Sequence, residues 1–446
     1  MELSALPPPT NGPWPAELIF LRAANRDRLR VRLSEVTQHA ATEPLLRVAR
    51  RYADSSEPGP VSLAIVATSS EDLLQKLNRV AAIIDAEASR RHESAGIHLT
   101  LAPMAAEGRV AFVFPGQGSQ YLNMLRDLVE HFPRARAPFE LFDRELAGWF
   151  DRPLSRFIFA EPSDTDEEQR RQAELTNTSV AQPALGAANL ALYNVLLDFG
   201  VRPSLVAGHS YGEFVALHAA GCFDEPTLAR LSASRGRFMS EVAGARTGSM
   251  AVVDAGAEVL RPLLADTGVT LANLNAPRQT VISGSHEDVE VATARCSSHG
   301  LRVRGLAVAC AFHSPLVAPA QRRLAAVLSD TAIESPRLPI YSNLTAEAYP
   351  NDQNEVVQLA SAQLAQPVEW IREVEAMYRD GARIFVEVGP KSVLGGLISR
   401  ILADRPHLVV SLDQPGRNGV FQLLNSLATL AAEGVSLDPD SLTRPH

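Results

Sequence analysis

A serine between two glycines, Gly208-His209-Ser210-Tyr211-Gly212, follows a short apolar run at 205–207 and opens an apparent helix over 213–220. A Gly-x-Ser-x-Gly placed between strand and helix describes a nucleophile elbow. The glycines permit the tight turn and close packing that push the serine hydroxyl out of the backbone. A serine in such a turn could equally cap the helix, since Ser, Thr, Asp and Asn are favoured there. A base within hydrogen-bond reach of the hydroxyl separates the two readings. Of the eleven histidines, four merit comparison. His209 adjoins the serine, so its side chain points elsewhere, into the wall of the elbow. His218 falls in the following helix, where packing is expected, and His286 lies in a stretch that reads as surface. His313, in Cys310-Ala311-Phe312-His313-Ser314-Pro315, follows a strand at a chain turn and is the best base by position.

The elements that must position these groups read as α/β. At 446 residues the chain is too long for one ordinary core, and two to four domains are expected. Hydrophobic residues make up 46% and charged residues 21%, the profile of a globular protein. A net charge of -9 offers no attraction to nucleic acid or an anionic membrane surface. The longest helical apolar stretch, 185–199, is interrupted by Asn189, Asn194 and Asp198, so a buried helix is expected rather than a membrane span. The proline-rich start, residues 1–15, lacks the basic and apolar regions of a secretory signal. Three scattered cysteines suit neither a disulfide framework nor a metal site, and a reducing cytoplasm is expected.

Strand-like runs at 17–21, 61–66 and 97–101, with helical spacing over 26–52 and 72–90, predict a small three-stranded α/β unit across 16–105. A continuous apolar strand at 109–114 then suits a parallel sheet buried on both faces. It runs into Pro115-Gly116-Gln117-Gly118-Ser119-Gln120, which lacks the Gly-Lys-Ser/Thr or GxGxxG spacing of a nucleotide loop. Residues 161–174 read as a solvated helix or loop. Four short strands and two helices over 248–309, in the order βαββαβ, predict a ferredoxin-like insert. Strand-helix alternation resumes at 338–342 and 383–388, and the tail reads as a strand (408–412) and a helix (420–432).

The chain resembles acyltransferase domains that load malonyl-type units onto carrier proteins. The resemblance rests on Phe114-Pro115-Gly116-Gln117-Gly118-Ser119-Gln120, the Gly-His-Ser-x-Gly elbow, Ser234-Arg235-Gly236-Arg237-Phe238-Met239 and Phe312-His313-Ser314-Pro315. Gln363-Leu364-Ala365-Gln366-Pro367-Val368-Glu369-Trp370 and Val386-Glu387-Val388-Gly389-Pro390 complete the set, in the family's order across 110–400. It implies a parallel-sheet α/β-hydrolase-like core with a ferredoxin-like inserted subdomain, preceded by a small α/β linker domain. The divisions would be an extended lead-in (1–15), the linker domain (16–105), the large subdomain (106–247 and 310–402), the small subdomain (248–309) and a post-acyltransferase linker (403–446). Tyr211 is reminiscent of enediyne-type and polyunsaturated fatty acid synthases.

The resemblance also assigns roles. Ser210 would attack the thioester of malonyl-coenzyme A, and His313 would relay protons as the acyl group moves to the phosphopantetheine thiol of an acyl carrier protein. The backbone N–H groups of Gln117 and Tyr211 would form the oxyanion hole. The carbonyl of Gln363 would orient His313, and Arg235 would grip the malonyl carboxylate. Phe312, beside His313, matches malonyl rather than methylmalonyl selection, and Tyr211 is a second specificity position. No metal or bound cofactor is implied, coenzyme A thioester being a substrate, and a neighbouring ketosynthase is an expected partner. A serine hydrolase shares the elbow, with Asp254 and Glu287 lying between Ser210 and His313 in sequence. The Gly116-Gln117-Gly118 loop and Arg235 argue against it.

Overall fold

The computed structural model describes residues 6–443 except 11, 54–58, 86–90, 162–163, 246–247, 307 and 309. The first five residues of the lead-in, the expected helical end at 86–90, Pro162 and Ser163 of the polar 161–174 segment, residues 246–247 and 309 at the insert boundaries, and the last three residues of the tail lie outside the described residues.

The first unit is an antiparallel sheet of four strands rather than three: β1 (Glu17–Ala23), β2 (Val61–Ala67), β3 (Arg91–Ser94) and β4 (Ile97–Thr100), in the order β1-β2-β4-β3. The additional strand, Arg-His-Glu-Ser, carries no apolar alternation and sits at the sheet edge, where polar strands are tolerated. The helices Arg26–Ala40, Leu45–Arg51 and Ser70–Asp85 cover one face. Pro44 separates the first two, because its ring cannot continue a helix from the preceding turn. The opposite face is covered by the helix Gly419–Ala432 of the tail, which packs on β1, β2 and β4 and adds Leu423, Leu424 and Leu427 to the shared core. Thr429 and Glu433 at its end bond His98 and Thr100 of β4. The tail therefore completes the core of the first unit, which explains why β2 is buried at every position.

The central sheet is parallel. It comprises β5 (Arg109–Phe114), β6 (Leu205–Gly208) and two later strands, interrupted by a four-stranded insert of β7 (Gly248–Val253), β8 (Thr270–Ala276), β9 (Gln279–Ser285) and β10 (Val303–Gly305). The insert pairs in the antiparallel order β10-β7-β9-β8, with helices Ala257–Leu263 and His286–Ser298, which is the ferredoxin-like arrangement. After it come β11 (Ala382–Glu387) and β12 (Leu408–Ser411), giving the parallel order β12-β11-β5-β6. The segment expected as a strand at 338–342 makes only isolated bridges, a parallel one from Ile340 to Val206 and an antiparallel one from Tyr341 to Ala348. Pro339 has no N–H to extend that ladder.

The helix Thr178–Asp198 has the length and hydropathy of a membrane span, yet 83% of its most apolar window is buried within the protein. It packs between helices Pro133–Glu145 and Glu225–Ala245 and backs the elbow. Ligands in open parallel sheets gather beyond the carboxyl ends of the strands, and the carboxyl ends of β5 and β6 here lead into the Gln117 loop and Ser210.

At the end of β11, Glu387 is wholly buried. Its carboxylate accepts the N–H groups of Val393, Leu394 and Gly395 at 2.8, 2.9 and 2.8 Å, so it caps the helix Leu394–Ile401. Glu387→Leu should leave these donors unsatisfied and cost about 1–3 kcal/mol. Scanning calorimetry should show a lower unfolding temperature; an unchanged one would mean the helix start finds other acceptors.

Candidate active site

Ser210 occupies the left-handed region, with φ at +52°, between β6 and the helix Gly212–Ala219. For a residue bearing a Cβ this costs of order 1–3 kcal/mol, so the neighbours must impose it. The glycines allow that. A Cβ at Gly212 would stand 2.0 Å from the Phe114 carbonyl oxygen, and one at Gly208 would stand 2.1 Å from Gly212 itself. The turn is thus pressed against β5 with no room for side chains.

The serine hydroxyl is 2.7 Å from His313 Nε2. On the other side of the ring, His313 Nδ1 faces two carbonyl oxygens, those of Gln363 at 3.1 Å and Gln366 at 3.0 Å. Carbonyl oxygens only accept, so the proton resides on Nδ1 and the lone pair on Nε2 faces the serine hydroxyl. His313 is itself left-handed (φ +55°) and buried. Burial, helped by the nearby positive charge of Arg235, pushes its pKa down to about 3. No carboxylate bonds the ring among the described residues. Asp254 pairs with Arg302 at 3.0 Å in the insert, and Glu287 is exposed there, so neither serves as a third member.

The loop Gly116-Gln117-Gly118 lies against the elbow. A Cβ at Gly116 would be 2.4 Å from the His209 carbonyl oxygen and 3.3 Å from the Tyr211 nitrogen. Polar contacts hold the loop: the Gln117 side chain donates to Thr178 Oγ1 at 3.1 Å, Gly118 N donates to Gln120 Oε1 at 2.7 Å, and Lys391 Nζ donates to the Gly118 oxygen at 3.0 Å. Among the described residues the backbone N–H groups of Gln117 and Tyr211 find no acceptor. They are free to meet a developing oxyanion.

Arg235, on the helix Glu225–Ala245, is 1% exposed. Its Nη1 donates to Gln182 Oε1 at 2.8 Å, while Nε and Nη2 have no partner among the described residues. Its guanidinium stands 5.6 Å from the Phe214 ring centre and 5.9 Å from that of Tyr211. Burial lowers its pKa to about 10, which leaves it charged. A buried cation with two unmatched donors is costly, and a planar carboxylate would satisfy both at once.

Ser210, His313, Phe312 and the Gln117 loop share a cleft of about 540 Å³, whose other wall comes from the insert (Met250, Val252, Val281). Tyr211 is not on that surface. Its ring is fully buried behind the elbow, its hydroxyl 2.6 Å from Ser232 Oγ, in space left by Gly186. His209 lines the cleft, bonded to Asn275 Oδ1 at 2.8 Å and set edge-on to Trp370. His218 bonds the Phe223 carbonyl, and His286 begins an insert helix. Three contributors are assigned no role by the sequence: the Gln366 carbonyl, Lys391, and Asn343, whose Oδ1 accepts the Ser210 N–H at 2.6 Å. A carbonyl has no side-chain signature, Lys391 follows a loop legible only as a motif, and turn asparagines are common for backbone reasons.

Residues 111–434 match the family described as Acyl transferase domain. Over 402 residues the chain is 31% identical to a polyunsaturated fatty acid synthase polypeptide of Thraustochytrium sp., a match covering 87% of this chain but only 14% of that protein. It is 35% identical over 300 residues to the malonyl CoA-acyl carrier protein transacylase of Bacillus subtilis, covering 66% of this chain and 90% of that one. Among solved structures, the acyltransferase domain from module 8 of the salinomycin polyketide synthase matches with a TM-score of 0.82 at 25% identity, over 96% of this chain and 98% of that one. The chain belongs to the acyl transferase family.

The low pKa of His313 has a measurable consequence. The folded value, about 3, lies below the ordinary 6.5, so the unfolded chain takes up this proton first. The contribution of this group to stability is full above pH 6.5 and is lost as pH falls from there toward 3. In ¹⁵N-histidine NMR the His313 ring should remain the neutral Nδ1–H tautomer from about pH 8 to about 5. A midpoint near 6.5 would contradict the burial.

Proposed function

We propose that this chain is an acyltransferase that takes malonyl from malonyl-coenzyme A onto Ser210 and passes it to the phosphopantetheine thiol of an acyl carrier protein. The observation that carries the reading is Ser210 Oγ 2.7 Å from His313 Nε2, together with the two unmatched donors of buried Arg235.

In the first half-reaction His313 Nε2 takes the hydroxyl proton as Ser210 Oγ attacks the thioester carbonyl. The carbonyl oxygen becomes an oxyanion received by the N–H groups of Gln117 and Tyr211, each such donor typically supplying roughly 3–4 kcal/mol. Collapse breaks the carbon–sulfur bond, and His313 returns its proton to the departing thiol. In the second half-reaction the carrier thiol gives its proton to His313 and attacks the acyl ester. Serine then leaves and is reprotonated. The carbonyls of Gln363 and Gln366 hold the ring in the tautomer that both halves need. A neutral imidazole is the right state to begin each one. The scheme calls on no metal or bound cofactor.

Arg235 supplies the acyl preference by pairing with the malonyl carboxylate, and Phe312 narrows the cleft beside the α-carbon. Support for malonyl as the unit and a carrier protein as acceptor comes from the Bacillus subtilis transacylase. A type II polyketide acyl-carrier protein in complex with its malonyl-transacylase, a structure 32% identical to this chain with a TM-score of 0.64, supports it too. A neighbouring ketosynthase fits the synthase-type relatives. The Gly116-Gln117-Gly118 loop and buried Arg235 argue against a hydrolase, and water is a slow competitor for the ester.

Intact-mass spectrometry after mixing with equal malonyl-, methylmalonyl- and acetyl-coenzyme A tests the reading. A malonyl adduct should form, vanish in Ser210→Ala, and discharge faster to a carrier protein than to water. Arg235→Ala should lose malonyl preference by about 2–5 kcal/mol while still accepting acetyl; an adduct surviving Ser210→Ala, or discharge by water alone, would overturn the assignment. Phe312→Ser should raise methylmalonyl uptake in the same competition by about 1–3 kcal/mol of selectivity. No rise would place the gate elsewhere in the cleft.

A further inference from the structure

Beneath the elbow lies a buried polar cluster that the proposed chemistry does not use: Asn343, Glu213, Glu373 and Tyr349. The first three are wholly shielded from solvent and Tyr349 is 7% exposed. Glu213 comes from the helix after the nucleophile, Asn343 and Tyr349 from the turn after the Ile340 bridge, and Glu373 from the helix Trp370–Arg379.

Asn343 is the centre of the cluster. Its Oδ1 accepts the Ser210 N–H at 2.6 Å, and its Nδ2 donates to the Gly208 carbonyl at 2.6 Å and to Glu373 Oε2 at 3.0 Å. Its own backbone N–H donates to Glu213 Oε1 at 3.4 Å, an oxygen that also accepts the Tyr349 hydroxyl. The amide orientation follows from its partners. Reversed, it would face a donor with donors and two acceptors with an acceptor.

We infer that Asn343 is a positioning residue for the nucleophile, and that Glu373 holds its amide in the orientation Ser210 requires. The inference rests on Ser210 being the nucleophile. The left-handed serine turns its N–H into the protein, where an unmatched donor is expensive. Asn343 removes that cost only while Oδ1 points at Ser210. It also ties Ser210 to Gly208, both sides of the strained turn, with one side chain. The serine Oγ is thereby aimed at His313, and displacement by about 1 Å from such an alignment can cost on the order of a hundredfold in rate.

Glu373 supplies the second acceptor for Nδ2. Burial and the neighbouring Glu213 raise its pKa well above the carboxylate range, and burial pushes Glu213 up to about 8. A protonated Glu373 still accepts through its carbonyl oxygen, so a neutral glutamine can take its place.

The test compares Asn343→Ala, Glu373→Gln, Glu373→Leu and the double variant Asn343→Ala/Glu373→Leu. Two readouts are taken: the rate of Ser210 acylation across malonyl-coenzyme A concentrations, and the rate of Ser210 modification by a fluorophosphonate. Asn343→Ala should slow acylation at saturation about a hundredfold with KM within about threefold of wild type. Glu373→Gln should stay within about threefold of wild type and Glu373→Leu should fall about tenfold, while the double variant should be no slower than Asn343→Ala alone. Wild-type acylation in Asn343→Ala, a loss confined to KM, equal losses in Glu373→Gln and Glu373→Leu, or multiplied effects in the double variant would each overturn the inference. If thermal unfolding shows that Asn343→Ala does not fold, the two Glu373 variants decide. Should the wild type take up fluorophosphonate at Ser210 but no malonyl, the functional reading fails and the fluorophosphonate rates still judge Asn343.

Discussion

The structure turns on one hydrogen bond, Ser210 Oγ to His313 Nε2, made between two residues that are both held in left-handed backbone conformations. Both conformations are uncommon for a residue that carries a Cβ. The Ser210 turn is held by β5 and β6 packing without side chains at Gly208 and Gly212, and the His313 ring is held by the carbonyls of Gln363 and Gln366, which accept its Nδ1–H. Strain of this kind survives only where surrounding contacts over-determine it, and such places are commonly functional.

Burial links the geometry to the chemistry. Burial and the nearby charge of Arg235 lower the His313 pKa, which favours a neutral ring facing the Ser210 hydroxyl. The same exclusion leaves Arg235 with two donors that find no acceptor among the described residues, which is the observation behind the proposed carboxylate pairing. Two carbonyl oxygens do for His313 what a carboxylate does in a Ser-His-Asp triad. They fix tautomer and orientation but add no full negative charge to stabilise an imidazolium.

The supporting framework is more interlocked than a division into successive segments conveys. The helix Gly419–Ala432 closes the core of the first sheet, and Asp413, just before it, accepts the Tyr121 hydroxyl at 2.7 Å and the Lys391 backbone N–H at 2.9 Å. Lys391 in turn reaches the Gly118 carbonyl. The tail is therefore connected through two residues to the loop that carries Gln117.

Local patterns are enough to read the elbow, the order of the insert's strands and helices, and the buried helix around 185–199, because each is a short-range signal of glycine placement, alternation or apolar periodicity. Motif order across 110–400 is enough to single out Ser210, His313, Gln117, Arg235 and Gln363. The polar edge strand Arg91–Ser94 is not legible, since an edge strand needs no apolar face, and Pro339 hides how little of 338–342 pairs. Tertiary structure alone decided that Tyr211 turns away from the cleft, that Gln366 shares the His313 proton with Gln363, and that Asn343 answers the Ser210 N–H. Those facts depend on contacts between residues tens to more than a hundred positions apart. A side chain's type says what it can bond, but only the packed chain says which partner stands within 3 Å.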